Sequence, residues 1–492
     1  MEHCIRKTAI GLRLAGLLGL DEDERTATYY IGLLDDVYCH ADAHEQARWF
    51  GDDIGFKASV YEADLESFAY LLIVLRKLGA GEAGLARARR AAAFPARGFR
   101  EVSTFLHTHG RLQADFAARL GLPRVLTDAL GQSYERWDGK GIPDRVKGEQ
   151  IPLAVRIVTL ADVVEVHHRG GGVDAARRVV AERAGGHLDP GLADIFRDNA
   201  DEVLAGLDGG SRWDGVVGAE PGLARIVLDE DLDGVLEAMA DLVDMKSPYM
   251  AGHSRGVANL AAEAARLSAM PNEEIVALRR AGFVHDIGRL GISNAIWEKP
   301  GPLTPAEVER VRLHPYLTDR MLAGLPGLAR VRRLAARNRE RLDGSGYPSG
   351  LVAADLSPAD RLLAVADVYH AMTEPRAHRV ALPASTAAAE LRSEVRTGRL
   401  DGDAVNAVLK AAGHRAPARR DWPAGLTARE VEVLGLLARG HSNREMARRL
   451  VVSPRTVSSH IEHIYAKVGV SSRAAATLFA TQHGLVGSFE PG

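Results

Sequence analysis

Cysteine is almost missing from this 492-residue sequence, which has only Cys4 and Cys39. Two thiols cannot make a disulfide framework, and so low a count fits a reducing cytoplasm. Aromatic residues are scarce at 5%, and β-branched runs are few, which argues against a fold built from strands. No uncharged stretch approaches the roughly 18 apolar residues of a membrane-spanning helix. The apolar segment from Ala9 to Leu20 contains Arg13, runs into an Asp-Glu-Asp-Glu sequence and lacks a small-residue cleavage site. It predicts an amphipathic helix rather than a signal peptide. A dominant charge is lacking too. The net charge of −3 and pI near 6.7 exclude a globally basic nucleic-acid coat. What is abundant is Ala, Leu and Arg, which favour helix, in a chain long enough for about three domains.

The C-terminal segment carries the densest local signals. Thr427 with Glu430 forms a capping box ahead of Val431, Leu434 and Leu437, and Gly440 suits a left-handed stop. Ser442 with Glu445 opens a second helix ending at Leu450. Ser453 caps a third helix with Pro454 at its first position, where a missing N–H costs nothing. Val457, Ile461, Ile464 and Val468 share one face of it, and Arg455, Ser458, Ser459, Glu462 and His463 share the other. A short helix, a tight turn and a longer helix with a polar outer face predict a helix-turn-helix sized for the major groove.

This stretch resembles the LuxR-type helix-turn-helix through L-T-x-R-E-x-E-V-L, S-N-R-E-x-A-x-x-L, S-x-x-T-V-x-x-H and the Tyr-x-Lys before Gly469. The resemblance implies double-stranded DNA as partner, homodimeric binding to inverted half-sites, and a DNA-contacting set of Arg455, Thr456, Ser458, Ser459, His460, Lys467 and Arg473. Arg455 and Lys467 are expected on phosphates, with Thr456, Ser458 and Ser459 near base edges. Where the family often carries lysines, this sequence has Ser458 and Glu462.

Upstream, the chain repeats itself. Glu-Arg-Trp-Asp-Gly-Lys-Gly-Ile-Pro begins at Glu135, and Glu-Arg-Leu-Asp-Gly-Ser-Gly-Tyr-Pro begins 205 residues later at Glu340. The same offset pairs Arg156 with Arg361, Asp162 with Asp367 and His109 with His314. Further upstream the offset is 250, pairing His3 with His253 and Asp36 with Asp286. Chance Gly-Pro turns would not carry flanking Arg and Asp along at fixed distance, so two tandem helical domains are expected.

The second copy resembles the HD-GYP branch of the HD-domain metal phosphohydrolases. The motifs are Gly-His253-Ser-Arg, Val-His285-Asp286-Ile-Gly-Arg289, Lys299-Pro-Gly-Pro-Leu-Thr, His314-Pro, Asp343-Gly-Ser-Gly-Tyr-Pro348 and Val-Ala-Asp367-Val-Tyr. The resemblance implies one divalent ion (Fe, Mn or Zn) on His253, His285, Asp286 and Asp367, with His314 as a further ligand. Asp286 and Arg289 would be the catalytic pair of an active enzyme. It also expects a His-His pair before the Glu-Arg motif, where this chain has Asn338 and Arg339. A guanidinium offers no lone pair to a metal, so at most a mononuclear site is expected. The first copy departs further, with Asp35-Asp36 in place of His-Asp and with Ser133 and Tyr134 in place of the His pair. It is expected to pack on the second copy as a degenerate partner. Cys39, His40 and His44 read as a solvated helix face, and His167-His168 before three glycines reads as a loop.

The expected fold is all-α. It comprises a degenerate HD-like domain (1–207), a linker (208–228), an HD-GYP-like domain (229–412), a linker (413–422) and a LuxR-type helix-turn-helix domain (423–487). The leading functional expectation is a cytoplasmic, homodimeric, DNA-binding transcriptional regulator. Its HD-like domains would act as a sensory or dimerisation platform for a nucleotide or other anionic effector, with no membrane association. The competing expectation is a metal-dependent phosphohydrolase, cyclic dinucleotide phosphodiesterase-like, with an attached DNA-binding module.

Overall fold

A computed structural model describes residues 2–60, 68–80, 84–94, 99–207, 213–223, 227–414, 422–450, 452–483 and 485. Among these the regular elements are helical, and pairing of extended backbone is confined to isolated bridges such as Asp343 with Val352. The chain divides into two compact units, Met1–His414 and Arg415–Gly492. The expected linkers 208–228 and 413–422 fall partly outside the described residues. The described part of the first linker has structure of its own. Trp213–Gly218 is a helical turn, and Val216 is buried against Ile5 and Tyr29 of the first copy.

In the first unit the two copies use the same parts. The first copy is built on α1 (Glu2–Leu17), α2 (Glu22–Leu34) and α3 (Leu153–Arg183). Ile10 and Leu14 of α1 meet Ile157, Leu160 and Val164 of α3 in its core. The second copy is built on α4 (Asp229–Asp244), α5 (His253–Leu267), α6 (Asn272–Val284), α7 (His314–Leu322) and α8 (Pro358–Thr373). Val257 and Ala261 of α5, Leu278 and Ala281 of α6, and Leu363 and Ala366 of α8 form its core. His167-His168 lie within helix rather than in the expected loop, and the glycines after them break it. Non-helical angles are confined to Gly171 and Gly172, and helix resumes on the far side. His168 is buried, and its Nδ1 faces an Arg6 Nη2 donor at 3.2 Å.

The repeated Glu-Arg-x-Asp-Gly-x-Gly-x-Pro motif is architectural in both copies. Glu135 accepts from the amides of Asp144 and Arg145 at 2.7 and 3.0 Å, and Glu340 from those of Ser349 and Leu351 at 2.8 and 2.9 Å. The loop closes so tightly that a Cβ on Gly141 or Gly346 would lie 2.4 Å from the preceding Glu Cα. The repeated arginines then lock the loop to the next helix, Arg156 on Asp189 at 2.6 Å and Arg361 on Asp401 at 2.8 Å.

The copies pack on each other through residues expected on a solvated face. His40 Nε2 donates to the Leu242 carbonyl at 2.5 Å, and His44 Nδ1 meets Glu298 at 2.6 Å. Tyr38 and Phe116 of the first copy bury against Ala238 and Leu242 of α4. Buried Asp53 accepts from Ser293 Oγ at 2.6 Å and the Asn294 amide at 2.8 Å. His40 and His44 are therefore docking groups, because each finds an acceptor on the second copy.

The second unit contains α9 (Ala428–Ala438), α10 (Asn443–Leu450), α11 (Pro454–Val468) and α12 (Arg473–Gln482). Both capping boxes form, Thr427 with Glu430 and Ser442 with Glu445. Ser453 caps α11 with Pro454 at its start, and Gly440 and Gly469 have positive φ at the helix stops. Val457 and Ile464 of α11 are fully buried against α9 and α10, and Ile461 and Val468 pack partly against the same core.

Candidate metal centre and nucleic-acid interface

In the second copy His253 begins α5, His285 and Asp286 follow α6, His314 begins α7 and Asp367 lies within α8. Gly252, at positive φ, starts α5 with His253 as its first residue. Asp244, at the end of α4, accepts from Ser254 N at 2.9 Å and Ser254 Oγ at 2.7 Å. Arg255 is ion-paired to Glu237 and Asp241 of the same helix. The Gly-His-Ser-Arg motif thus fixes the start of α5 against α4. His285 and Asp286 follow α6, where Thr318 of α7 donates to the His285 carbonyl at 3.0 Å and accepts from Gly288 N at 3.1 Å. Gly288 is required there, since a Cβ would sit 1.9 Å from the His314 carbonyl oxygen.

The three histidines have their Nδ1 atoms engaged away from the centre, with His253 on Glu374 at 2.7 Å, His285 on the Gly282 carbonyl at 2.8 Å and His314 on the Val311 carbonyl at 2.7 Å. A proton held at each Nδ1 leaves the Nε2 lone pairs facing inward, the arrangement that metal-binding histidines use. His253 Nε2 lies 3.5 Å from Asp367 and 3.9 Å from Asp286. His285 Nε2 lies 3.7 Å from Asp286 and 3.8 Å from Asp367, and His314 Nε2 lies 3.7 Å from Asp286. These separations are too long for hydrogen bonds. Ligands at about 2.1 Å from one ion stand about 3.0–3.4 Å apart, so the cage needs to contract only slightly. His285 Nε2, Asp286 Oδ1 and His314 Nε2 are all buried without a hydrogen-bond partner. Orphaned buried polar atoms are rare and costly, and here they converge. The donor set fits one divalent ion.

The electrostatics agree. Burial would raise Asp286, but His285, Arg289 and His314 hold its carboxyl well below the usual range. Asp367 is likewise held low against burial by Arg339 and His253. Burial would lower His253, but Asp367 and Glu374 raise it to about 9, so an ion binding there would have to displace its Nε2 proton. Burial and Arg339 push His314 down to about 3, leaving it neutral. Arg339 lies 3.2 Å from Asp367 and Arg289 lies 3.4 Å from Asp286. Arg289 also stacks on Trp297 at 3.7 Å, and Trp297 and Tyr347 both contact His314 edge-on. Glu374 was missed by the sequence reading. It orients His253 and is itself held by His370 and Arg376, both at 3.0 Å.

The first copy brings together His3, Asp36 and Asp162, but with a cation already among them. Lys7 Nζ lies 2.6 Å from Asp35, 2.5 Å from Asp36 and 3.7 Å from Asp162. His3 is saturated, with Nε2 on Asp162 at 2.8 Å and Nδ1 on Glu165 at 2.5 Å. Burial would discharge Lys7, but Asp35, Asp36 and Asp162 raise it well above the ordinary lysine value.

On the helix-turn-helix, Arg455, Thr456 and Ser459 are exposed on α11, and His460 is half-buried. Three residues expected at DNA also bond within the module. Ser458 accepts from Asn443 at 3.1 Å and donates to the Pro454 carbonyl at 3.2 Å, so its hydroxyl joins α10 to α11. Lys467 Nζ is bound to Glu430 at 2.7 Å and the Gly425 carbonyl at 3.2 Å. Arg473 donates to the Leu437 and His441 carbonyls at 2.8 and 2.7 Å, closing the end of α9.

Comparison with known proteins matches these two assemblies separately. The HD domain family model matches residues 101–192 and 237–404, and the model for bacterial regulatory proteins of the luxR family matches residues 424–480. The chain is 31% identical over 414 residues to the 3'3'-cGAMP-specific phosphodiesterase 3 of Vibrio cholerae, spanning 83% of this chain and 90% of that protein. A cyclic di-GMP phosphodiesterase of Pseudomonas aeruginosa is 32% identical over 46% of this chain and 55% of its own length. A crystal structure of a cyclic GMP-AMP specific phosphodiesterase from V. cholerae matches with a TM-score of 0.57 and 28% identity, over 84% of this chain and 93% of that one. The chain belongs to the HD domain family, and its C-terminal residues form a luxR-family module.

Proposed function

We propose that this chain is a DNA-binding transcriptional regulator whose HD body recognises a 3',3'-linked cyclic dinucleotide at the second copy. The observation that carries the reading is the pairing of a mononuclear ligand cage with a luxR-family module whose α11 presents an exposed polar face. His253, His285, Asp286 and Asp367 would hold one ion, with His314 completing the set. Fe²⁺, Mn²⁺ and Zn²⁺ all suit such nitrogen and carboxylate donors. A bound ion of this kind supplies Lewis-acid polarisation of a phosphoryl oxygen and neutralisation of its charge. Arg289, whose Cζ lies over the Trp297 ring, would receive a phosphate as a bidentate donor. Arg339 provides permanent positive charge where a second ion would otherwise be needed. Ligand binding would alter transcription by favouring the DNA-competent state of a homodimer that reads inverted half-sites. Among the described residues no helix is long and apolar enough to cross a membrane.

A second reading, a working phosphodiesterase, is favoured by the relatedness over 90% of a protein named for that activity. The two separate on one experiment. Purified full-length chain loaded with Mn²⁺ or Fe²⁺ is given 3'3'-cGAMP and cyclic di-GMP, and both hydrolysis and duplex-DNA affinity are followed. The regulator reading expects ligand-dependent DNA affinity without turnover. Turnover that vanishes in Asp286→Ala would establish the enzyme instead.

A further inference from the structure

The first copy has kept most of a metal-binding constellation and has filled it with a side chain. At the offset of 250 that pairs His3 with His253 and Asp36 with Asp286, Lys7 falls on Val257 and Asp35 falls on His285. Val257 and His285 are both fully buried in the second copy. These two exchanges are chemically coupled. An ammonium beside a neutral imidazole gains only a hydrogen-bond acceptor, whereas beside a carboxylate it also gains the opposite charge that burial demands. Where valine becomes lysine, the neutral ligand becomes an acid.

The geometry closes around that lysine. Lys7 is 1% exposed. Its Nζ is within 2.6 Å of Asp35 and Asp36 and 3.7 Å from Asp162, which is shared with His3. Arg6 and Arg169 hold Glu165, the acid behind His3, at 2.9 and 3.2 Å. The second copy differs at its centre, where three polar atoms have no partner. Carboxylates crowded together raise one another's energy, so a scaffold that brings the adjacent Asp35 and Asp36 up to Asp162 is stabilised by a cation among them.

We propose that Lys7 is a covalently built-in replacement for the divalent ion, making the first HD copy independent of metal and leaving the chain a one-metal protein. The proposal concerns the first copy and shares with the functional reading above only its use of the second copy as control.

Bound metal is measured on the full chain by elemental analysis after equilibration with Mn²⁺ and dialysis. Wild type should hold about one equivalent, lost in Asp367→Ala and kept in Asp162→Ala. Lys7→Val, which installs the residue of the second copy, should gain about one equivalent on His3, Asp36 and Asp162. Its Tm should fall in chelator and recover on adding Mn²⁺, a rescue that a merely structural lysine would not show. Val257→Lys should lose the equivalent held by the second copy. A wild-type second equivalent removed by Asp162→Ala overturns the proposal without any variant at Lys7. So does a folded Lys7→Val that binds no more Mn²⁺ than wild type. A wild type with no metal, together with a gain of one in Lys7→Val, upholds Lys7 and instead refutes the metal site of the second copy.

Discussion

Arg455→Ala should remove one phosphate contact per module and leave the fold intact. Arg455 is exposed on α11, just after the Ser453 cap. Each protein–phosphate contact releases condensed counterion and contributes about 0.9 to the slope of log affinity against log salt. The variant should therefore lose about 0.9 of slope for one module, or about 1.8 for a dimer on duplex. Over a fourfold rise in salt each contact weakens binding about 3.5-fold. The advantage of wild type over variant should thus shrink about 3.5-fold, or about 12-fold for a dimer, between about 50 and about 200 mM salt. Fluorescence anisotropy on a labelled duplex at four salt concentrations gives both slopes. Lys467→Ala is the control, because its charge is already spent on Glu430 at 2.7 Å. Lys467→Ala should leave the slope unchanged while lowering the Tm of the module. An unchanged slope in Arg455→Ala, with a reduced one in Lys467→Ala, would refute this placement of α11 on DNA.

Glu374→Gln removes the carboxylate that orients His253 and should weaken metal affinity about 10–100-fold with little change in far-UV dichroism, measured by metal titration. Leu363→Ala empties a fully buried position of the second core and should cost about 2–5 kcal/mol, read from denaturant unfolding. His40 has its pKa lowered to about 4 from 6.5, chiefly by burial. A depressed imidazole stabilises the fold fully above pH 6.5 and loses that contribution as pH falls towards about 4. His40→Asn, which keeps a donor for Leu242 but does not titrate, should therefore show a smaller fall in Tm than wild type across that window.

What the sequence made legible were features whose physics is local or periodic. The capping pairs Thr427–Glu430 and Ser442–Glu445 are three residues apart, so spacing alone exposes them. The repeat was visible because two closed loops impose the same Glu, Gly and Arg in both copies. The histidine and aspartate set could be read through resemblance; the structure brings His253, His285 and Asp367 within reach of one another, with Asp286 beside the two histidines and His314 beside Asp286. Partnership across helices was not legible. Lys467 looked like a free cation because nothing in the sequence shows that Glu430, already used as a cap, also faces it. His40 and His44 looked solvated because their acceptors, Leu242 and Glu298, lie more than two hundred residues away. Glu374 lies beyond the end of α8 and carries no motif. The signal for Lys7 was present, an uninterrupted offset setting it against Val257, but it appears only when non-identical pairs are compared.

The two copies solve one electrostatic problem in two ways, and the difference bears on regulation. Each gathers carboxylates close together, which calls for compensating positive charge. In the first copy the compensating charge is covalent, so its packing against α4 through Tyr38, His40 and Phe116 stays constant whatever the metal supply. In the second copy the fixed charges are Arg289 and Arg339, at 3.4 and 3.2 Å from the acids they face. Any ion or phosphate arriving there must redistribute those contacts. A ligand can move an equilibrium only by interacting unequally with its two states. A body with one invariant copy and one whose charge balance depends on occupancy supplies that inequality, with the invariant copy as the surface against which the other can shift.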